Sequence, residues 1–304
     1  MSMPHLTQAR APLTREVEVM NQHGERESIF IPAERDLTVY VDKRELVTLM
    51  TLGAHPEWLV LGYLLNQRLV RSIDEIESVT VDWDVGAASV KTRHGIDRIE
   101  ERTAKRVVTT GCGQGSVFGN LMDEIDQIRL PEASVLRQSE LYEIVNAIRL
   151  KESTYKSAGS VHACALFAGS ALSLFVEDVG RHNAVDTIAG WMALDEASGP
   201  HQAHGMLPSQ VADPSHLKKV FYTTGRLTSE MVIKSAQMGV AVVVSRSGIT
   251  QMGLEVAQRV GLCAIGRATN KRFLCYANAQ RLVLDAMPPE APVVSAGESK
   301  ALSA

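Results

Sequence analysis

The residue best placed for chemistry is Cys112, in the stretch VVTTGCGQGSVFGNLMDEIDQI at 107–128. The pattern reads as a short strand (Val107 to Thr109), a loop with Gly111, Gly113 and Gly115, and then a helix. Val117, Leu121, Ile125 and Ile128 form the helix's apolar face, and Ser116 is its N-cap. A cysteine just before a helix N-terminus meets unpaired N–H groups and the positive end of the helix dipole, which favour thiolate over thiol. The thiolate is the nucleophile. The plainer alternative is a small buried cysteine, but this one is ringed by glycine, threonine and glutamine rather than set in an apolar run.

A second concentration lies in EDVGRHNAVD at 177–186, where Glu177, Asp178, Arg181, His182, Asn183 and Asp186 crowd between an apolar strand and an apolar helix. Open α/β sheets keep their ligand sites at such strand ends. Three later loops suit an anion. TTGRLTSE carries Gly225 and Arg226, SRSG begins at Ser245, and GRATNKR runs through Gly266, Arg267, Ala268, Thr269, Asn270, Lys271 and Arg272. Salt bridges or a solvated basic face are the plainer reading of these cations. Metal chemistry finds less support. The triplets at His23 and His55 have the H-x-E form of a zinc deaminase, but no P-C-x-x-C follows. His201, His204 and His216 have no ligand spacing, and His162 reads as a structural histidine at a strand entry.

The elements that position these residues follow from periodicity. Residues 1–14 read as a flexible arm, and 15–105 as a small α+β domain: a hairpin around Asn21 to Gly24, strands at Leu37–Val41 and Arg44–Met50, a buried helix at Glu57–Asn66, and strands at Ile76–Val81 and Ala88–Thr92. Residues 106–285 form an α/β domain. It contains an amphipathic helix at Gln138–Lys151, two strands within 159–176, a helix to about Ala197, an exposed loop at 198–217 and regular β-α-β units from Lys219 to Gly266. Residues 286–304, with three prolines, read as a disordered tail.

The chain has 304 residues, 45% hydrophobic and 22% charged, as expected of a soluble globular protein, with a formal net charge of −4 that gives no support to nucleic acid or an anionic membrane as partner. The first twenty residues have no apolar h-region and no run is long enough to span a bilayer, so a cytoplasmic location is expected. The four cysteines show neither C-x-x-C nor disulfide-framework spacing. From the residues alone, the reading is thiol chemistry beside a nucleotide-like ligand.

EDVGRHNAVD, TGRLTSEMVIKSAQMGV and the glycine-flanked cysteine, in that order, resemble the FdhD family of formate dehydrogenase accessory proteins. The likeness runs from about Arg15 to Leu282, and RDLTVYVDKRELVTLM and EWLVLGYLLNQRLVRSIDEI resemble the family's N-terminal part. The resemblance implies a sulfur carrier that takes sulfane sulfur from a cysteine desulfurase as a Cys112 persulfide. The sulfur then passes to the bis(molybdopterin guanine dinucleotide) cofactor before that cofactor enters formate dehydrogenase. It also implies a homodimer, a C-terminal three-layer α/β/α domain like cytidine deaminase without its zinc site, and cofactor contacts at Arg267 to Arg272. The chain departs from the family in three places. Gly115 stands where C-G-x-C-G has its second cysteine, Thr187 replaces the lysine after RHNAVD, and Ala158-Gly159-Ser160-Val161-His162 replaces T-G-G-x-H. The lost cysteine leaves room for a second class, a cofactor-binding chaperone that moves no sulfur. A third, a nucleotide-modifying hydrolase or deaminase, needs a zinc site that the residues do not assemble.

Overall fold

Alternating and helical hydrophobic runs account for the N-terminal half. The computed structural model describes residues 3–97, 99, 125–151, 153–198 and 218–286. In it the chain opens with β1 (His5–Leu6), β2 (Thr14–Met20), β3 (Arg26–Pro32), β4 (Arg35–Val41), β5 (Arg44–Thr51), helix α1 (Pro56–Asn66), β6 (Ile76–Asp82) and β7 (Ala87–Thr92). Strands β2 and β3 form the expected hairpin, with Asn21 Oδ1 accepting from the His23 and Glu25 amides in its turn. The other strands make a five-stranded sheet in the order β1-β6-β7-β4-β5. Leu37, Val39 and Val41 alternate inward from β4 and pack with Leu59, Val60 and Leu64 of α1.

The opening residues are not the flexible arm expected. β1 pairs in parallel with β6, and Thr7 Oγ1 and the Ala9 amide donate to Glu57 Oε1 at 2.6 and 2.9 Å. Glu57 is buried at the start of α1, and a buried carboxylate requires donors, which this segment supplies. The same bonds give the His55-Pro56-Glu57 triplet a structural role.

The second half contains β8 (Leu136–Arg137), α2 (Gln138–Leu150), α3 (Thr154–Ala158), β9 (His162–Ala168), β10 (Ala171–Asp178), α4 (Arg181–Ser198), β11 (Lys219–Thr223), α5 (Ser229–Gln237), β12 (Val242–Ser245), α6 (Gln251–Val260), β13 (Cys263–Thr269), β14 (Arg272–Ala277) and β15 (Leu282–Val283). A six-stranded sheet has the order β10-β9-β11-β12-β13-β14. β11, β12 and β13 are parallel, while β9 and β14 flank them antiparallel and β10 pairs antiparallel with β9 at the edge. Val220, Tyr222, Val242, Val244 and Ile265 face Leu141, Ile144 and Val145 of α2. Phe221, Val243 and Ala264 face the other way, onto α4, α5 and α6. Both faces are covered, so this is a mixed α/β architecture. The GRATNKR segment is not a loop beyond the last strand: Gly266 to Thr269 continue β13, and a tight turn leads into β14.

The two halves meet where α1 crosses α4. Gly62 and Gly190 face each other there, and a Cβ on either would collide with backbone of the opposite helix, at Asp186 or Trp58. Cys112 with its glycine loop, most of the 198–217 loop and most of the 286–304 tail lie outside the described residues.

Candidate functional site

The carboxyl ends of β11, β12 and β13 open into a cavity of about 550 Å³. Thr224 follows β11, Arg246 follows β12, Ala268 and Thr269 end β13, and Asn270 follows it. The opposite wall comes from the end of α2 and from α3, which bring Arg149, Lys151, Tyr155 and Lys156. His162 and Ala163 enter from the start of β9, and Tyr222 and Phe175 give apolar surface. Glu177 is the acidic lining residue, and its carboxylate accepts from the Thr154 and Tyr155 amides at 2.6 and 3.1 Å, at the N-terminus of α3. Four cations against one already engaged carboxylate make the cavity suited to an anion, and its size to one nucleotide-sized group.

The three loops that carry the predicted cofactor residues are laced together beneath this cavity. Ser245 Oγ donates to the Gly225 carbonyl at 2.7 Å and accepts from the Ser247 amide at 2.9 Å. The Arg246 amide donates to Thr223 O, and the Arg267 amide to Ser247 O. Gly225 is small because Arg181 passes over it: a Cβ would sit 2.5 Å from Arg181 Cδ. A Cβ on Gly266 would sit 2.8 Å from Ser247 O. Ala268, Thr269 and Asn270 therefore line the cavity, while Arg181, Gly225, Ser245 and Gly266 belong to its frame. Arg226, Arg267, Lys271 and Arg272 are exposed and do not line it.

His182 and Asn183 turn away from the cavity, His182 to Glu230 of α5 and Asn183 into the contact between the two halves. Asn183 Nδ2 donates to Met50 O at 2.6 Å and to Asp178 Oδ1 at 3.0 Å, and Asp178 also accepts from Thr51 Oγ1 at 2.5 Å. His182 Nε2 lies 3.2 Å from Glu230, which with Asp186 flanks the buried Lys234 at 3.3 and 2.9 Å. Asn66 Nδ2 closes this network on Asp186 at 2.6 Å. Burial pushes the Asp178 carboxyl up to about 6. Burial, assisted by the nearby Arg181 guanidinium, lowers the His162 imidazole and favours its neutral form at the cavity wall. Sequence reasoning missed Arg149, Lys151 and Lys156. The signal was present in RLKESTYK, cations at the end of an amphipathic helix. No cluster of three His, Cys, Asp or Glu side chains suited to a metal occurs among the described residues.

Fold and cavity together define an α/β protein with an anion-accepting pocket at the carboxyl ends of its parallel strands. The chain belongs to the FdhD/NarQ family, whose model matches residues 32–283. The protein named Sulfur carrier protein FdhD in Bacillus subtilis (strain 168) is 30% identical over 256 residues, covering 82% of this chain and 88% of that relative. The protein of the same name in Bacillus pumilus (strain SAFR-032) is 29% identical over 255 residues, covering 82% and 88%. A crystal structure from Desulfotalea psychrophila, described as that of a formate dehydrogenase accessory protein, superposes with a TM-score of 0.67 at 22% identity, covering 90% of this chain and all of that one. No helix among the described residues is long and apolar enough to cross a membrane.

Proposed function

We propose that this chain is a sulfur carrier serving a molybdenum-dependent formate dehydrogenase. The Cys112 thiolate attacks the sulfane sulfur of a cysteine desulfurase persulfide, the desulfurase cysteine leaves as thiolate, and Cys112 holds the persulfide. The substrate that receives this sulfur is the bis(molybdopterin guanine dinucleotide) cofactor. The observation that carries the reading is the cationic cavity, in a chain whose relatives are named sulfur carriers. Arg149, Lys151, Lys156 and Arg246 would neutralise the pyrophosphate of one guanine nucleotide arm. Thr224, Thr269 and Asn270 would supply hydrogen bonds, and Tyr155, Tyr222 and Phe175 flat apolar surface. The frame residues Arg181, Gly225, Ser245 and Gly266 would hold that wall in place, and the exposed Arg226, Arg267, Lys271 and Arg272 would meet the parts of the cofactor that extend beyond the cavity.

The same reading takes the protein as a cytoplasmic homodimer that meets a desulfurase and a formate dehydrogenase apoenzyme. It takes the C-terminal half as cytidine-deaminase-like, which the six-stranded sheet with helices on both faces supports. Gly115, standing where the family commonly has a second cysteine, favours one other reading, a chaperone that holds the cofactor without moving sulfur. Intact mass after incubation with a cysteine desulfurase and cysteine separates them. The carrier gains one sulfur atom, and Cys112→Ala does not. No gain by the wild type leaves the chaperone, and a gain by Cys112→Ala moves the role to another cysteine.

A further inference from the structure

Cys263 on β13 and Cys275 on β14 hold their Sγ atoms 3.9 Å apart, on neighbouring antiparallel strands. Ala264 lies opposite Ala277 and Ile265 opposite Cys275, so Tyr276 is an extra residue in β14. That bulge sets the two cysteines diagonally across the pair. They differ in access. Cys263 is buried, whereas Cys275 is half-buried on β14, the edge strand of the sheet. A reagent from solvent meets Cys275 first and finds Cys263 directly behind it. The Cys263 S–H can donate to its neighbour, which lowers the Cys275 thiol to about 7, while that same contact and burial raise Cys263. Cys164 is different: it is fully buried beside Thr223 and Arg181, and burial pushes its thiol up to about 12.

We propose that Cys263 and Cys275 form a thiol–disulfide exchange site for small disulfides of the glutathione class, with Cys275 as the attacking sulfur and Cys263 as the resolving one. The Cys275 thiolate attacks one sulfur of the disulfide. The S–S bond breaks, one thiolate leaves and takes up a proton, and Cys275 carries the mixed disulfide. Cys263 attacks Cys275 Sγ, its proton passing to the second thiolate, which leaves as a thiol. Two protein thiols are oxidised to one disulfide, and the small disulfide is reduced to two thiols. Closing the bond brings the sulfurs from 3.9 Å to about 2 Å. The cross-link spans the β13–β14 hairpin, of which Ala268, Thr269 and Asn270 form the cavity wall, so oxidation stiffens that wall.

The test uses the full chain equilibrated with graded mixtures of oxidised and reduced glutathione, quenched in acid, alkylated in denaturant and mapped by mass spectrometry. The expected product is a peptide cross-linked through Cys263 and Cys275. It disappears in Cys263→Ser, where Cys275 carries a glutathionyl group instead, and in Cys275→Ser, where Cys263 stays unmodified. Melting curves of both variants establish that they are folded. Three outcomes overturn the proposal: Cys263 and Cys275 both remaining reduced in the wild type under excess disulfide, either one cross-linked to Cys112 or Cys164 instead, or a glutathionyl group on Cys263 in Cys275→Ser.

Discussion

Lys234 shows how much a single buried residue governs here. Its ammonium and the Asp186 carboxylate are both wholly inaccessible to solvent and 2.9 Å apart, with Glu230 at 3.3 Å. Removing one partner leaves an uncompensated charge in the interior, so Lys234→Met is expected to cost about 3–5 kcal/mol in urea unfolding. Cavity cations work on a different quantity. Arg246→Ala and Lys151→Ala are each expected to weaken binding of guanosine diphosphate about tenfold by calorimetry and to flatten its salt dependence, with little change in melting temperature. Sequence reading found the dense polar run at 177–186 but could not give the direction of each side chain. Arg181 turns to the frame of the cavity and Asn183 to Met50, because the first turn of α4 is buried between two halves far apart in sequence. Arg149 and Lys151 were hidden for the converse reason: cations at the end of an amphipathic helix look like a solvated face until another strand is packed beside them.

At the scale of elements, the local grammar was legible wherever one face meets one core. The β2–β3 hairpin, α2 and the β11-to-β13 alternation all follow from periodicity and turn residues. Pairings made across long stretches of chain were not. His5 and Leu6 are too short a run to read as a strand, and only the partner β6 makes them one. The α1–α4 crossing is of the same kind, since nothing local to Gly62 announces Gly190. Alanine at either position places a methyl group into backbone that cannot give way. Gly62→Ala is therefore expected to lose about 3 kcal/mol, read as a lowered melting temperature and urea midpoint. An alanine at Gly24, where a Cβ would meet nothing within 4 Å, has only its positive φ to overcome and is expected to cost less.

At the scale of the whole molecule, Asp178 and Asn183 tie the C-terminal half to Thr51 and Met50 of the N-terminal half, and this joint is sensitive to pH. Burial raises the folded-state carboxyl of Asp178 from 3.8 to about 6. Its contribution to stability is complete below the unfolded value and is lost as pH rises through the folded one. The group is thus expected to lower stability by about 2 kcal/mol between pH 4 and pH 6. Urea midpoints over that range should fall for the wild type relative to Asp178→Asn, whose own stability lacks this decline.

The six-stranded sheet runs β10-β9-β11-β12-β13-β14, so after the first hairpin every strand joins at one advancing edge, in the order in which a ribosome releases it. Each arrival covers the edge exposed by the one before, and the β10 side is complete from the outset. The N-terminal sheet is wired the other way. Its first strand has no partner until Ser78 and Val79 have been made and folded back onto His5 and Leu6. One half of the protein can be assembled strand by strand during translation, while the other closes only when its end comes back to meet its beginning.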